Sequence, residues 1–332
     1  MSTSQDPSAK RPKRVAVVGD IMLDVHVHCE VTGLSPEDDI APKLRIREET
    51  YRPGGAGNAA LNLKSLGLID EVHLFGVIGT DYNCNTLKEV IEGAAIKLFD
   101  VRCDDRPTTV KTRYLTQRGR HLCRVDHESA HPVVGHVRNA LEMAIKSHGP
   151  YDLILVSDYG KGMVTEGLMC FLRSRDVRIV VDPKGDDFTK YGSVYAVTPN
   201  QREFMGVMKE RQADVWTLKC EAKNVILTRG KRGCQLFRVD TRQCFAHAYT
   251  SDYAQDLLYV RPREVGDPTG CGDSFVAGLA SSLVVHTQYD GDERLAEACR
   301  FANAVGACAY DHQGAWSVTL EEVQNELETF TY

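Results

Sequence analysis

Short apolar runs rich in valine and isoleucine alternate with helical patterns along most of the chain, and this alternation constrains the fold most strongly. The runs have the length and composition of buried strands; they are Val15–Gly19, Val72–Gly76, Leu153–Ser157, Val177–Asp182, Val194–Thr198 and Val225–Thr228. The helical patterns cover Asn58–Leu66, Asn85–Gly93, His136–Ser147, Thr165–Arg173 and Leu295–Ala309. Such alternation predicts an α/β fold, with a doubly wound, mostly parallel sheet that helices cover on both faces.

Two regions break this rhythm by alternating polar and apolar residues at period two, the pattern of a one-sided antiparallel sheet. They are Val25–Glu30 with Lys43–Glu48, and Thr109–Thr116 with His121–Asp126. We predict that residues from about 25–48 and 109–126 form a small antiparallel β lid on the α/β body. Because these interruptions are short, residues 14–332 are expected to be a single domain, and the polar residues 1–13 a disordered leader.

The composition argues against several classes of partner. A formal net charge of -6 over 332 residues gives no reason to expect nucleic acid or an anionic membrane as a partner. The apolar runs are too short to span a bilayer, and the polar start lacks a secretory signal. The 11 cysteines include no C-x-x-C pair, which argues against a disulfide framework or a zinc site and favours a reducing compartment. We therefore expect a cytoplasmic protein.

A small polar turn, Asp267-Pro-Thr-Gly-Cys-Gly-Asp273, leads directly into the apolar helical run Phe275–Val285. Glycines at a helix start let the backbone approach a ligand and expose unpaired N–H groups, which suit an anion such as a transferring phosphate. Asp273 would then lie beside that anion, placed to take a proton from an attacking hydroxyl. An ordinary capping turn is the alternative, because many helices begin with aspartate or glycine.

Two segments nearer the N-terminus offer groups suited to sugar hydroxyls. Gly54 and Gly55 allow close backbone approach, and Asn58 supplies a donor and an acceptor at a helix start. Asp20 and Asp24 follow the first predicted strand, where ligands of parallel sheets collect. The glycine segment lacks the third glycine of a dinucleotide fingerprint. A glycine-rich turn with a helix cap, and aspartates on a loop surface, are the structural alternatives.

Two later segments could face a nucleotide and its metal. Asn200 and Glu203 follow a predicted strand at a spacing that places both on one face of a helix's first turn. They could hold Mg²⁺ through water, although a capping box has the same spacing. Thr228, Gly230 and Gly233 belong to a turn between two strands that could pass close to phosphates or ribose, as many hairpins do.

Basic residues at strand ends and in the predicted lid are the usual receptors for a substrate phosphate. Taken singly, each is more often a solvated surface charge. These residues are Lys111, Arg113, Arg124, Lys161 and Lys184.

Together the motifs resemble those of the ribokinase-like (PfkB) carbohydrate kinases. Asp267–Asp273 is similar to the family's second signature, and Gly54–Asn58 and Asn200–Glu203 to its sugar-end and metal/phosphate motifs, in an order that fits over roughly residues 14–327. Within the family the likeness is greatest to the heptose 7-phosphate kinases. Its segments are Gly19–Asp24, Leu34–Glu37, Arg52–Asn58, Ser157–Gly162, Asp182–Gly185, Thr198–Asn200 and Phe301–Ala304.

The resemblance implies a ribokinase-like fold, ATP and Mg²⁺ as cofactors, and Asp273 as the base. It further implies that the amides of the glycine turn stabilise charge on the γ-phosphoryl group, with Cys271 standing where the family usually has alanine. The residues so implied are Gly270, Cys271, Gly272 and Asp273 for the phosphoryl group; Asp20, Asp24, Gly54, Gly55 and Asn58 for the sugar; Thr228, Gly230, Gly233 and Asn303 for the nucleotide; Asn200 and Glu203 for Mg²⁺.

The resemblance also bears on ions and partners. Asp267 and Thr269 match positions that bind a monovalent cation, such as K⁺, in some relatives. Relatives often dimerise through the lid, which implies a homodimer. Heptose kinases often carry a fused nucleotidyltransferase domain, and because this sequence ends at Tyr332 we expect a stand-alone kinase.

Three functions stay open at this point. The first is a kinase for the anomeric hydroxyl of heptose 7-phosphate, which predicts that several of the basic residues converge. The second is a ribokinase-like kinase for a neutral sugar or nucleoside. The third is an inactive relative that senses sugar or nucleotide, against which the joint presence of Asn200, Glu203 and Asp273 argues.

Overall fold

A computed structural model describes residues 11–212, 215–240, 246–250, 266–289, 291–312 and 314–328. This part of the chain contains 15 strands and eight α-helices. The strands are β1 (Arg14–Gly19), β2 (Ile21–Ser35), β3 (Asp38–Gly55), β4 (Glu71–Ile78), β5 (Lys97–Arg102), β6 (Thr109–Thr116), β7 (His121–His127), β8 (Leu153–Ser157), β9 (Arg178–Asp182), β10 (Ala196–Val197), β11 (Met208–Gln212), β12 (Val215–Leu218), β13 (Asn224–Thr228), β14 (Cys234–Asp240) and β15 (Ala246–Thr250). The helices are α1 (Ala56–Ser65), α2 (Asn83–Gly93), α3 (Gly135–His148), α4 (Glu166–Arg173), α5 (Gln201–Val207), α6 (Cys271–Val285), α7 (Gly291–Tyr310) and α8 (Leu320–Glu328).

The large sheet has the strand order β11-β12-β15-β14-β13-β10-β9-β8-β1-β4-β5. Its strands from β13 to β5 pair in parallel, and β14, β15, β12 and β11 extend it through antiparallel pairing. Successive residues of β1 point to opposite faces, so Val15 and Val17 pack in one core cluster, and Ala16 and Val18 in another. The first cluster includes residues of α1, α6 and α7, and the second residues of α3 and α4, which confirms a sheet covered on both faces.

A second, four-stranded sheet forms the predicted lid, in the order β3-β2-β6-β7. Its two hairpins, β2 with β3 and β6 with β7, are antiparallel, and the pairing of β2 with β6 that joins them is parallel. Only Asp20 separates β1 from β2, so the lid is rooted at the carboxyl end of a central strand of the body.

The two faces of the lid differ in chemistry because residues directly opposite each other in a register share a face. One row across the sheet reads Arg52, Asp24, Lys111 and Asp126, and is charged throughout. The adjacent row, on the other face, reads Tyr51, Val25, Thr112 and Val125.

The predicted elements are present, with shifts at some ends. The strand predicted over Val194–Thr198 is limited to Ala196–Val197, and the helix predicted from Phe275 begins at Cys271. The first hairpin is much longer than the segments predicted for it. Register shifts near His28 and Val31 interrupt the alternation of polar and apolar residues on which that prediction rested. Among the described residues, no helix combines the length and the apolar character that a membrane crossing requires.

Candidate active site

The carboxylate of Asp273 lies in the first turn of α6, with 5% of the residue exposed. Its Oδ2 accepts a hydrogen bond from Nδ2 of Asn58 at 2.7 Å, and its Oδ1 accepts one from the hydroxyl of Tyr159 at 2.7 Å. Asn58 belongs to the first turn of α1, and Tyr159 to the loop after β8. Three separate elements therefore fix the orientation of this one carboxylate.

The electrostatic environment of Asp273 raises its proton affinity. Burial raises the pKa of Asp273 to about 6, because the ionised carboxylate loses its hydration. The hydrogen bonds from Asn58 and Tyr159 oppose that shift, while nearby Asp24 raises the pKa and Lys111 lowers it. A carboxyl with a pKa near 6 is ionised at neutral pH and is well matched to accept a proton there.

The predicted glycine turn forms the cap and first turn of α6. Gly270 is the N-cap and has a φ of 79°, in the left-handed region that favours glycine. A Cβ at this position would lie 3.1 Å from Nδ2 of Asn58 and would press on its bond to Asp273. Cys271, Gly272 and Asp273 follow as the first helical residues, so their amides lie at the positive end of the helix dipole.

Asp24 lies on the charged face of the lid and is largely buried. Its Oδ1 accepts a hydrogen bond from the Arg113 guanidinium at 2.6 Å. On the neighbouring strand, a Cβ at Gly54 would lie 2.5 Å from Oδ2 of Asp24. The absence of a side chain at Gly54 therefore gives the Asp24 carboxylate its space.

The carboxylate of Asp20, between β1 and β2, holds the backbone of the loop after β8. Its carboxylate accepts hydrogen bonds from the backbone amides of Tyr159 at 2.7 Å, Lys161 at 3.1 Å and Met163 at 3.3 Å. Burial, followed by repulsion from Asp158, raises the pKa of Asp20 despite these bonds. Its contact with a sugar stays a prediction, for which Oδ1 keeps lone-pair capacity because it accepts only the Met163 bond, whereas Oδ2 accepts the other two.

Most of the predicted phosphate-binding cations lie close to one another beside the lid. Arg113 and Arg124 are opposite each other in the register of β6 and β7. Lys161 is near enough to Lys111 for its positive charge to lower the proton affinity of Lys111. Burial is the main cause of the lowered pKa of Lys111. Lys184 differs, because its ammonium pairs with Glu203 at 2.8 Å.

Each of three clustered cations also has an acidic partner. Arg124 pairs with Asp126 at 2.6 Å, and Lys161 with Glu128 at 2.6 Å, in addition to the bond between Arg113 and Asp24. Lys111 instead lies over the ring of Tyr159, 5.0 Å from its centroid. The cluster therefore combines several positive charges with carboxylates that a bound anion would have to displace.

Beside the start of α6 lies a cavity of about 790 Å³, within the range of small-molecule sites. Phe275, Ala307 and Tyr310 contribute apolar surface to its wall. The structure gathers at this cavity all residues predicted for the nucleotide, together with part of the glycine turn: Asn200, Thr228, Gly230, Gly233, Asn303, Cys271 and Gly272.

Asn200 and Glu203 form a complete capping box at the start of α5. Oδ1 of Asn200 accepts from the Glu203 amide at 3.0 Å, and Oε2 of Glu203 accepts from the Asn200 amide at 3.1 Å. Oε1 of Glu203 pairs with Lys184. A carboxylate oxygen has lone-pair capacity beyond one hydrogen bond, so a water-mediated ion remains compatible with this geometry.

The predicted monovalent-cation residues shape the turn before α6. Oδ1 of Asp267 accepts from the amide of Thr269 at 2.9 Å, and Oδ2 accepts from the amide of Gly314 at 2.8 Å. Burial raises the proton affinity of Asp267, but these hydrogen bonds outweigh it and lower its pKa. The aspartate thereby ties the glycine turn to the segment that follows α7.

Sequence reasoning missed two residues beside Asp273. Tyr159 and Asp182 lie at the ends of β8 and β9, and neither falls in a periodic pattern that would single it out. Burial raises the pKa of Asp182 well above its usual range, and the charge of Asp273 adds to that shift. Their position after buried parallel strands was the available signal.

Relatives with known names share this architecture. Over 328 residues the chain is 31% identical to the bifunctional protein HldE of Aeromonas salmonicida, a match that covers 95% of this chain and 64% of that protein. It is 31% identical over 344 residues to the bifunctional protein HldE of Coxiella burnetii, covering 100% of this chain and 67% of the relative. The chain thus spans about two thirds of the length of these relatives.

Solved structures agree on the fold. Phosphofructokinase-2 from Escherichia coli, in complex with potassium, superposes with a TM-score of 0.71 at 17% identity, covering 96% of this chain and 98% of that one. Ribokinase from Arabidopsis thaliana, complexed with ribose and ATP, gives a TM-score of 0.66 at 18% identity, covering 96% and 99%. The sequence model of the pfkB family carbohydrate kinases matches residues 12–322. Because this family match covers nearly the whole chain and the named relatives are 31% identical to it, the chain belongs to the pfkB family of carbohydrate kinases.

Proposed function

We propose that this carbohydrate kinase transfers the γ-phosphoryl group of ATP to the anomeric hydroxyl of heptose 7-phosphate, with Asp273 as the general base. One observation carries the proposal. The buried carboxylate of Asp273, with a pKa of about 6, is near Lys111 of the cation cluster and directly follows Gly272, which lines a cavity of nucleotide size. The 31% identity to relatives named bifunctional protein HldE, and the segments that resemble heptose 7-phosphate kinases, support the choice of sugar.

The residues have distinct tasks in the proposed reaction. ATP occupies the cavity with its γ-phosphoryl group at the start of α6, where the amides of the first turn stabilise the developing negative charge. Asn58 holds Asp273 so that its carboxylate faces the attacking hydroxyl. Asp273 accepts that hydroxyl's proton as the oxygen attacks the γ-phosphorus, the bond from that phosphorus to the β–γ bridging oxygen breaks, and ADP leaves. A general base contributes about 10²–10⁴-fold to such a step.

Asn200 and Glu203 are the residues that fit Mg²⁺, held through water, because Asn200 lines the cavity, Glu203 is hydrogen-bonded to it, and their side-chain oxygens keep lone-pair capacity. An ion held by these residues would supply charge neutralisation for the phosphates of ATP. We propose that Asp267 and Thr269 bind K⁺, because the structure of phosphofructokinase-2 from Escherichia coli is a complex with potassium.

The substrate phosphate is assigned to the cations beside the lid. Lys111, Arg124 and Lys161 surround the same region as Asp126 and Glu128, and two of them already hold carboxylates at 2.6 Å. A phosphate offers the same oxygen chemistry with more charge, so it can replace those carboxylates as the acceptor. Arg113 is retained by Asp24 and would orient that aspartate toward the sugar hydroxyls.

We further propose a homodimer that forms through the lid, in a cytoplasmic enzyme. Exposed large hydrophobic residues are concentrated there, which supports an interaction surface. Light scattering should give twice the mass of one chain, and Ile40→Asp, at a position that is 87% exposed, should shift it toward the single chain. A wild-type mass of one chain would contradict the dimer. The lid residues concerned are Val31, Leu34, Ile40, Ile46, Tyr51 and Val125.

A kinase for a neutral sugar or nucleoside is the second candidate. The observation that favours it is that Arg113, Arg124 and Lys161 all have acidic partners without any substrate. An inactive sensor of sugar or nucleotide is the third, and it requires that Asp273 has no chemical role.

ADP release with Mg-ATP and a panel of neutral sugars and sugar phosphates separates these functions. Turnover confined to heptose 7-phosphate is the expected result, and NMR of the product should locate the new phosphate on the anomeric oxygen. Turnover with a neutral sugar would instead select the second candidate. ATP binding without turnover on any acceptor would contradict the kinase proposal for the acceptors tested.

A further inference from the structure

Tyr159 is held at three points around the candidate base. Its backbone amide donates to Oδ2 of Asp20 at 2.7 Å, and its ring lies beneath the ammonium of Lys111, 5.0 Å away. Its hydroxyl donates to Oδ1 of Asp273 at 2.7 Å. A side chain fixed at its backbone, its ring and its hydroxyl has little freedom to turn away from the carboxylate.

We propose that Tyr159 is a positioning residue of the phosphoryl transfer, whose hydroxyl holds Asp273 in its ionised form and in a fixed orientation. The inference rests on the proposed role of Asp273 as the base. A hydrogen bond to the charged form of a carboxyl favours that form, and it does so most strongly where water is excluded. Burial raises the pKa of Tyr159 itself well above its usual range, so the phenol remains a donor at every working pH.

The other groups that face Asp273 do not replace this donor. Asp24 on β2 and Asp182 at the end of β9 are acidic, and they disfavour a charge on Asp273 or compete with it. Lys111 on β6 favours the charge through space, and Asn58 on α1 donates the second hydrogen bond. Without the phenol, Asn58 would be the remaining hydrogen-bond donor among these groups.

The test is the pH dependence of kcat/KM for MgATP at saturating acceptor, which keeps the acceptor's own ionisation the same in every variant. Tyr159→Phe removes the donor and preserves the ring. The midpoint of the acid limb, where activity falls as the pH decreases, should rise by about one pH unit, since one donor to a buried carboxylate is lost. Activity should therefore fall about fivefold at pH 6, approach a tenfold loss below pH 5, and recover to within a few-fold above pH 8.

Tyr191→Phe is the matched control. Tyr191 is also buried, and its hydroxyl donates at 2.7 Å to a different carboxylate, that of Asp158. This variant should lose a similar amount of thermal stability but leave the acid limb where it is in the wild type. An equal shift in both variants, or none in Tyr159→Phe, would overturn the inference.

A second variant keeps the proposal testable if Tyr159→Phe folds poorly. Replacing Tyr159 with 3-fluorotyrosine retains the hydroxyl and makes it a stronger donor, so the midpoint should move below that of the wild type. A midpoint above the wild type would count against the donor role. The two hypotheses can fail separately. If Asp273→Asn is active, Asp273 is not the base. If Asp273→Asn is inactive but the acid-limb midpoint of Tyr159→Phe is unchanged, only the role of Tyr159 is contradicted.

Discussion

The strands of the body and those of the lid differ in how deeply their residues are buried. All five residues of β8 in the body are buried, whereas all of β7 in the lid except Leu122 is exposed. The body supplies the elements that fix Asp273, the glycine turn and the cavity relative to one another. The lid supplies charged side chains whose partners can change. We therefore propose that phosphoryl transfer depends on the buried carboxylate of the body, and that recognition of the acceptor depends on the charged face of the lid.

Asp273→Asn should have the largest effect on activity, because we propose this buried residue of the body as the general base. Asparagine cannot take the hydroxyl proton, so kcat should fall by about 10²–10⁴-fold. Steady-state ADP release measures the loss, and calorimetric titration with ATP should show nearly unchanged affinity. A variant with near-normal kcat would mean that the base is another group.

Leu155→Ala and Val125→Ala compare the two regions by stability. Leu155 in β8 is fully buried, so its truncation leaves a cavity and should lower the free energy of unfolding by about 2–5 kcal/mol. Val125 on the lid is 55% exposed, and its truncation should change that free energy by about 0.5 kcal/mol or less. Urea unfolding measures both, and equal losses would break the distinction between body and lid.

Lys161→Ala tests whether the lid cluster recognises a phosphate. Losing one charge-assisted hydrogen bond should raise the KM for heptose 7-phosphate about 10–100-fold and leave the KM for ATP unchanged. Lys146→Ala, at an exposed position on α3, is the charge-matched control and should change neither constant. If the acceptor KM is unaffected by Lys161→Ala, the neutral-sugar alternative gains support.

The smallest effect concerns the wild type near neutral pH. The base must be ionised to act, so protonation below its pKa removes activity, and protonation above it is negligible. With the pKa of Asp273 raised to about 6 by burial, kcat/KM should be nearly flat above pH 7 and fall about tenfold per unit below pH 6. A rate that is level down to pH 4.5 would show that no buried carboxyl limits the reaction.

Prediction from the sequence succeeded where burial dictates the pattern. Leu153–Ser157 was located to the residue because a strand buried on both faces must be apolar throughout. The start of α6 was placed late because Cys271, Gly272 and Asp273 are polar or small, although they are helical once Gly270 adopts its positive φ. Tyr159 was missed because its role depends on three partners that are distant in sequence, Asp20, Lys111 and Asp273.

The parallel pairing of β2 with β6 has a consequence for the order in which the chain can assemble during its synthesis. The hairpin of β2 and β3 emerges first, but β6 follows only after α1, β4, α2 and β5 have been made. At about 5–20 residues per second, that interval lasts several seconds. Throughout it, one edge of β2 has backbone groups without their final partner, and such an edge can pair with a strand of another chain. This exposure of the β2 edge thus ends once β6 has left the ribosome and can pair with it.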